Sequence, residues 1–235
     1  MFQGIHMNNK SVLLCGVLAL MLASLNVHAK VSAKEASKLG KSLTPFGSIK
    51  SGNKTKTIPE WSGGITEPPE GYTGTGQHHI DPFASDEIKF SIDKSNYKGF
   101  KKYMTPGQYA LFETYPDTFK VNVYPTQRSH SMPDWVLENT KKNAKTSSLT
   151  KGGAGIKDAF GGVAFPILHG KNDEKALQVM WNHLTRWRGV FLTSRASELA
   201  VQRDGSYTPI TKQQEVFFNF HNPEGSFKKM KNILF

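Results

Sequence analysis

The chain has 235 residues, 30 Lys and Arg against 19 Asp and Glu, a formal net charge of +11 and a single cysteine. That length suffices for one good-sized core or two small ones, and one cysteine excludes a disulfide framework within the chain. The basic residues are dispersed in pairs such as Lys101-Lys102, Lys141-Lys142 and Lys228-Lys229, which reads as solvated surface or attraction to an anionic membrane rather than as a nucleic-acid footprint.

In chain order, the first element reads as an export signal. Lys10 precedes the apolar run Ser11 to Val27, and "VHA" ending at Ala29 has the small-x-small pattern of a cleavage site. A membrane anchor is the competing reading, but the run is short of the ~20 apolar residues that a span needs. Leu14 before Cys15 argues against lipidation there, because such sites want a small residue before the cysteine. Cleavage after Ala29 is expected to deliver the mature chain, without any cysteine, to an oxidising compartment, so packing must stabilise it. Residues 1–29 are therefore expected to be a signal peptide.

Residues 30–104 are expected to form a short helix and an arm. "SAKE" sets Ser32 and Glu35 at capping-box spacing, and Gly40 is a helix stop. From Lys41 to about Asp93 the text is rich in Gly, Pro and Thr without periodicity, which predicts an extended arm. Trp61, Tyr72 and Phe83 recur along it as candidate pegs.

Residues 105–235 are expected to hold helices and the first strands of a sheet. "TPGQYALFETYP" has Thr105 as cap, Pro106 at the first helical position and Gln108 completing the box, with Leu111, Phe112 and Tyr115 as its buried stripe. Phe119, Val121 and Val123 alternate with Lys120 and Asn122, a half-buried strand. A helix is expected from "SMPDWVLENTKKNA", with Ser131 and Asp134 at capping distance. After a glycine-rich break, Leu177, Met180, Trp181 and Leu184 fall at i, i+3, i+4 and i+7, an amphipathic helix closed by Gly189. Strands are expected over 190–197, 199–203, 207–211 and 216–220, with a turn at Asp204-Gly205. The apolar end Ile233–Phe235 reads as the start of another strand. Helices followed by antiparallel strands make this an α+β chain.

No reaction class emerges from the residues. His78, His79 and Asp81 are the one local group of metal-ligand types, and their loop lacks a recognised ligand spacing. His183 sits beside the apolar stripe as a helix histidine. Asp134 and Glu138 are four apart, but Asp134 suits the helix dipole. The glycines of "GGAGIKDAFGG" lack phosphate-loop spacing. "WNHLTRWRG" is either a membrane-surface face or a helix with Trp181 in the core and Arg186 and Arg188 on the surface. No catalytic residue, metal or cofactor is expected, and no enzyme activity.

The blocks "YPDTFKVNVYPTQRSHSMPDWVLENTKKNA", "GIKDAFGGVAFPI", "MWNHLTRWRG" and "VQRDGSYT", with the opening "KVSAKEASKLGKSLTPFGSIKSGNKTKTIPEWSGGI", resemble domain-of-unknown-function family 1329 of Gram-negative periplasmic proteins. The resemblance implies a fold related to the lipoprotein carriers LolA and LolB, a curved antiparallel sheet forming an incomplete half-barrel with plugging helices. It also implies outer-membrane lipoprotein-sorting-like work beside an RND-type exporter and an outer-membrane protein. The family is roughly twice as long, so the chain is expected to correspond to the N-terminal half of the domain. The expected function is carriage of a lipid, lipoprotein or other hydrophobic molecule, with peripheral membrane contact and no nucleic acid. Candidate cavity or plug residues are Phe119, Val121, Val123, Trp135, Met180, Trp181, Leu184, Phe191 and Tyr207. An adaptor without cargo, docking on the exporter or an outer-membrane protein, is the alternative.

Overall fold

The computed structural model describes residues 31–74 and 78–229. The expected export signal, with Cys15, and the apolar end Ile233–Phe235 lie outside the described residues. Capping chemistry places the first two helices. In α1, Ala33–Ala36, the Ser32 hydroxyl accepts the Glu35 N–H at 3.2 Å and the Glu35 carboxylate accepts the Ser32 N–H at 3.2 Å. In α2, Pro106–Thr114, Thr105 and Gln108 exchange the same two bonds, at 3.2 and 3.0 Å. Each pair satisfies two backbone donors that a helix start leaves orphaned.

Two later boundaries differ from the sequence pattern. Helix α3, Asp134–Thr146, starts after Pro133 without a side-chain cap; the Ser131 hydroxyl donates instead to the Ile65 carbonyl. Helix α4, Asn172–Leu184, ends before Gly189. Thr185 closes it, its N–H and hydroxyl both donating to the Trp181 carbonyl, at 2.9 and 2.8 Å. Gly189, with φ +93°, belongs to the connection that follows.

The strands form three antiparallel two-stranded sheets among the described residues, without a closed barrel. They are β1 (Phe90–Ile92) with β2 (Val121–Val123), β3 (Ser148–Leu149) with β4 (Ile156–Lys157), and β5 (Phe191–Val201) with β6 (Tyr207–Phe217). The β5–β6 ribbon pairs Phe191 with Phe217 and Val201 with Tyr207 without a break. The expected gaps at Glu198 and over 212–215 are absent because the ribbon is solvated along its length, so its polar residues need not interrupt it. The expected strand to Phe220 stops at Phe217, where Asn219–His221 wind into a 3-10 turn. Asp204 and Gly205 form the hairpin turn, with Gly205 at φ +83° and the Asp204 carboxylate accepting the Ser206 N–H at 3.0 Å.

The chain divides into two compact units, one of the segments up to Ser48 and from Pro133, the other Ile49–Met132. The expected boundary at 104/105 lies within the second. In that unit the arm is bound by polar contacts. The Arg128 guanidinium donates to the carbonyls of Ile49, Lys50 and Pro59 at 2.6, 2.9 and 3.2 Å, and the Trp61 indole N–H donates to the His130 carbonyl at 3.0 Å. A small aromatic core joins Phe112 to Tyr97 and Phe119, with ring centroids 5.3 and 4.6 Å apart. Leu111 and Tyr115, expected in its buried stripe, are exposed.

In the first unit, the loop from Phe160 to His169 threads past α3 and α4 with side chains in place of a sheet neighbour. Asn182 exchanges both amide bonds with the Phe165 backbone, each at 2.8 Å. Gln178 does the same with His169, at 3.0 and 2.9 Å. From α3, Asn143 accepts the Phe160 N–H at 3.1 Å and donates to the carbonyls of Phe160 and Val163, while the Thr140 hydroxyl accepts the Val163 N–H at 2.9 Å. The approach is so close that a Cβ on Gly162 would lie 2.6 Å from the Thr140 nitrogen and hydroxyl. Asn182→Ala leaves both polar groups of the buried Phe165 backbone without partners, and an unmade buried bond costs about 1–3 kcal/mol. Urea unfolding of Asn182→Ala should show a loss of about 2–3 kcal/mol, and Gly162→Ala a comparable one through the clash. A loss under about 0.5 kcal/mol for Asn182→Ala, the level of ordinary surface changes, would contradict the arrangement.

Candidate functional site

The amide contacts fix how α4 is rotated. Its inward face is Gln178, Trp181, Asn182 and Thr185, spaced i, i+3, i+4 and i+7 like any buried stripe. Gln178 is 2% exposed. The apolar stripe at 177, 180 and 184 lies one residue out of phase, about 100° around the helix. Met180 is consequently 45% exposed and Leu184 41% exposed. Trp181, common to both stripes, packs against the buried cluster of Ala159, Ala164, Phe165 and Phe220, and its indole donates to the Gly153 carbonyl at 2.9 Å.

The outward stripe runs into a cleft. Leu177 lines it together with Leu149, and the volume is about 650 Å³. Lys151 and Lys157 come from the β3–β4 hairpin region, and His169 and Asp173 from the start of α4 and the loop before it. Leu149 and Leu177 are its apolar side chains, set among Ser148, Thr150 and Gln178, and Lys151, Lys157, Asp173 and Glu174 carry both signs of charge. Leu177, Met180 and Leu184 extend the apolar surface from the cleft along roughly 10 Å of helix.

The nine predicted cavity residues are divided between the two units. Phe119, Val121 and Val123 belong to the Ile49–Met132 unit, where Phe119 packs on Phe112 and the two valines are half-buried in β2. The other six lie in the first unit. Trp135 is set edge-on to Trp187, at 5.4 Å. Phe191 and Tyr207 sit on the ribbon and are exposed. None of the nine lines the cleft.

None of the remaining candidates lines it. His79 stacks on Tyr72 at 6.0 Å, and the Asp81 carboxylate accepts the Phe83 N–H at 2.8 Å. Among the described residues no group of three or more His, Cys, Asp or Glu could hold a metal ion. His183 is exposed beside Arg186, and Asp134 and Glu138 are exposed on α3. No described helix is long and apolar enough to cross a membrane.

Sequence reasoning missed Asn143, Gln178 and Asn182, whose polarity hid their burial, and also His221. His221 is 2% exposed. Its Nε2 donates to the Thr185 carbonyl at 2.9 Å, while Nδ1 is buried without a hydrogen-bond partner among the described residues. Trp187 and Phe220 meet its ring edge-on at 5.2 and 4.9 Å. Burial lowers its pKa below the ordinary 6.5, outweighing the pull of the Thr185 carbonyl. The spacing of Gln178, Asn182 and Thr185 was the available signal for the first group; nothing local marked His221.

The family model described as "Protein of unknown function (DUF1329)" matches residues 91–235. The uncharacterized protein PA3922 of Pseudomonas aeruginosa is 39% identical over 226 residues, covering 96% of this chain and 48% of the relative. The chain therefore spans about half the length of the curated relative it matches. No solved structure matches.

A histidine with a depressed folded pKa favours the native state while neutral. Its contribution is complete above pH 6.5 and is lost as pH falls from there through the lowered folded value. Partial burial shifts His130 the same way. Unfolding midpoints should fall between pH 7 and 5, and His221→Gln should flatten part of that slope. An unchanged slope in the variant would contradict the assignment.

Proposed function

The chain belongs to the DUF1329 family, and from that premise we propose that it is a non-enzymatic periplasmic carrier or chaperone for a hydrophobic molecule, a lipid or the acyl chains of a lipoprotein. The observation that carries this reading is the outward apolar stripe of α4, Leu177, Met180 and Leu184, leading from a cleft of about 650 Å³. An acyl chain laid on such a track gains about 0.8 kcal/mol for each CH₂ removed from water. Burial, not bond-making, is the chemistry required, so the site needs apolar surface and no nucleophile. Lys151 and Lys157, with Asp173 and Glu174 at the same cleft, supply both signs of charge, as a zwitterionic headgroup requires.

In this reading the paired strands contribute to a curved antiparallel half-barrel like that of the LolA and LolB carriers, with the helices against its concave face. In the same reading residues 1–29 direct export, and the carrier serves an RND-type export system with an outer-membrane partner. The adaptor reading, in which the protein docks without cargo, is favoured by a different observation: Phe191, Leu199, Val201 and Tyr207 are exposed on the β5–β6 ribbon, a surface suited to another protein.

Displacement of a fluorescent fatty acid separates the two. Met180→Glu and Leu184→Glu should each weaken binding roughly tenfold, about 1.4 kcal/mol, with the unfolding midpoint unchanged because both side chains are exposed. Absence of binding by the unaltered protein, or equal binding by the variants, would contradict the carrier and support the adaptor.

A further inference from the structure

The β5–β6 ribbon is a two-stranded sheet 11 residues long, solvated on both faces. Two-stranded ribbons are marginal in water, and a third strand or a packed face is what stabilises them. Its two edges differ. The Phe218 N–H donates to the Val190 carbonyl, and the Gln202 N–H to the Ser206 carbonyl, each at 2.8 Å. Both flanking bonds join even-numbered residues, so alternation along the antiparallel register puts the even-numbered pairs in the hydrogen-bonded sites. The odd-numbered residues direct their N–H and C=O groups outward. Pro209, opposite Leu199, falls in that outward set and lacks a donor. The β6 edge is therefore interrupted, as protected edges commonly are. The β5 edge presents every outward donor from Phe191 to Val201, with no proline among them.

We infer that the β5 edge is a strand-docking site whose occupant is an antiparallel strand from the portion of the family's longer members that lies outside this chain. Length identifies the occupant. The Pseudomonas relative carries about as much sequence again beyond the aligned region, and the family match includes the whole ribbon. The chemistry of the edge describes the strand. Arg195 is exposed and forms no ion pair among the described residues, so an acidic residue belongs opposite it. Phe191 at one end and Leu199 and Val201 at the other, all exposed, call for apolar residues. The nearby charge pair, Lys212 to Glu198 at 2.7 Å, projects from the other face. Main-chain bonds would supply the affinity and these side chains the register.

The test mixes the full chain with a polypeptide covering the part of PA3922 outside the aligned region. Light scattering should show a one-to-one complex, with hydrogen exchange slowed at the odd-numbered amides of β5. Thr193→Pro removes an outward donor from the β5 edge and should weaken the complex roughly tenfold, near the worth of one backbone bond. Gln213→Pro makes the same change on the β6 edge and should leave affinity unchanged. Slow exchange at Leu192 and Ala196 in both variants verifies that the ribbon still forms. No complex, equal effects of the two prolines, or a dimer of this chain protecting the same amides would overturn the proposal.

Discussion

The first unit depends on a loop that has no sheet neighbour. Between Phe160 and His169 the backbone runs beside buried side chains, where unpaired N–H and C=O groups are costly. Asn143 on α3 and Gln178 and Asn182 on α4 answer that demand, the last two each making a reciprocal pair of bonds with one backbone residue. The amides act as a substitute strand, and the helices that carry them are held in one rotation.

That rotation has a consequence for the surface. A helix has one inward face, and polar bonds have claimed it here, so Met180 and Leu184 are left outside with Leu177 at the cleft. Ordinary burial of an apolar side chain stabilises by about 1.5–3 kcal/mol, and this helix forgoes part of that gain on its outward side. In the carrier reading proposed above, this displaced stripe is the surface on which an apolar molecule is laid. The ribbon repeats the theme on a larger scale, with apolar side chains solvated at both ends and one open edge.

How far the sequence revealed this varies from residue to residue. The capping pairs Ser32/Glu35 and Thr105/Gln108, the alternation of Val121 and Val123, and the Asp204-Gly205 turn were legible because each rests on neighbours a few positions apart. The α4 stripe was legible as a helix but misleading as to face, since hydropathy gives no weight to an amide that finds two backbone partners. Ser131 illustrates the same limit: the helix starts after Pro133, two residues beyond the expected cap, and the Ile65 carbonyl, 66 residues earlier, takes the Ser131 hydroxyl. The unbroken ribbon was hidden by its exposure, because a strand without a buried face shows no clean alternation. His221 depends on long-range contacts with Thr185 and Trp187 that no spacing rule encodes.

Hydroxyl-radical footprinting of the unaltered, ligand-free chain tests the central claim, that polar bonds rather than apolar residues set the inward face of α4. The account predicts that Met180 and Leu184 are readily modified, while Phe165, held against the amides, is spared. Protection of Met180 and Leu184 with modification of Phe165 would mean that the helix buries its apolar stripe after all, and the outward binding surface would not exist.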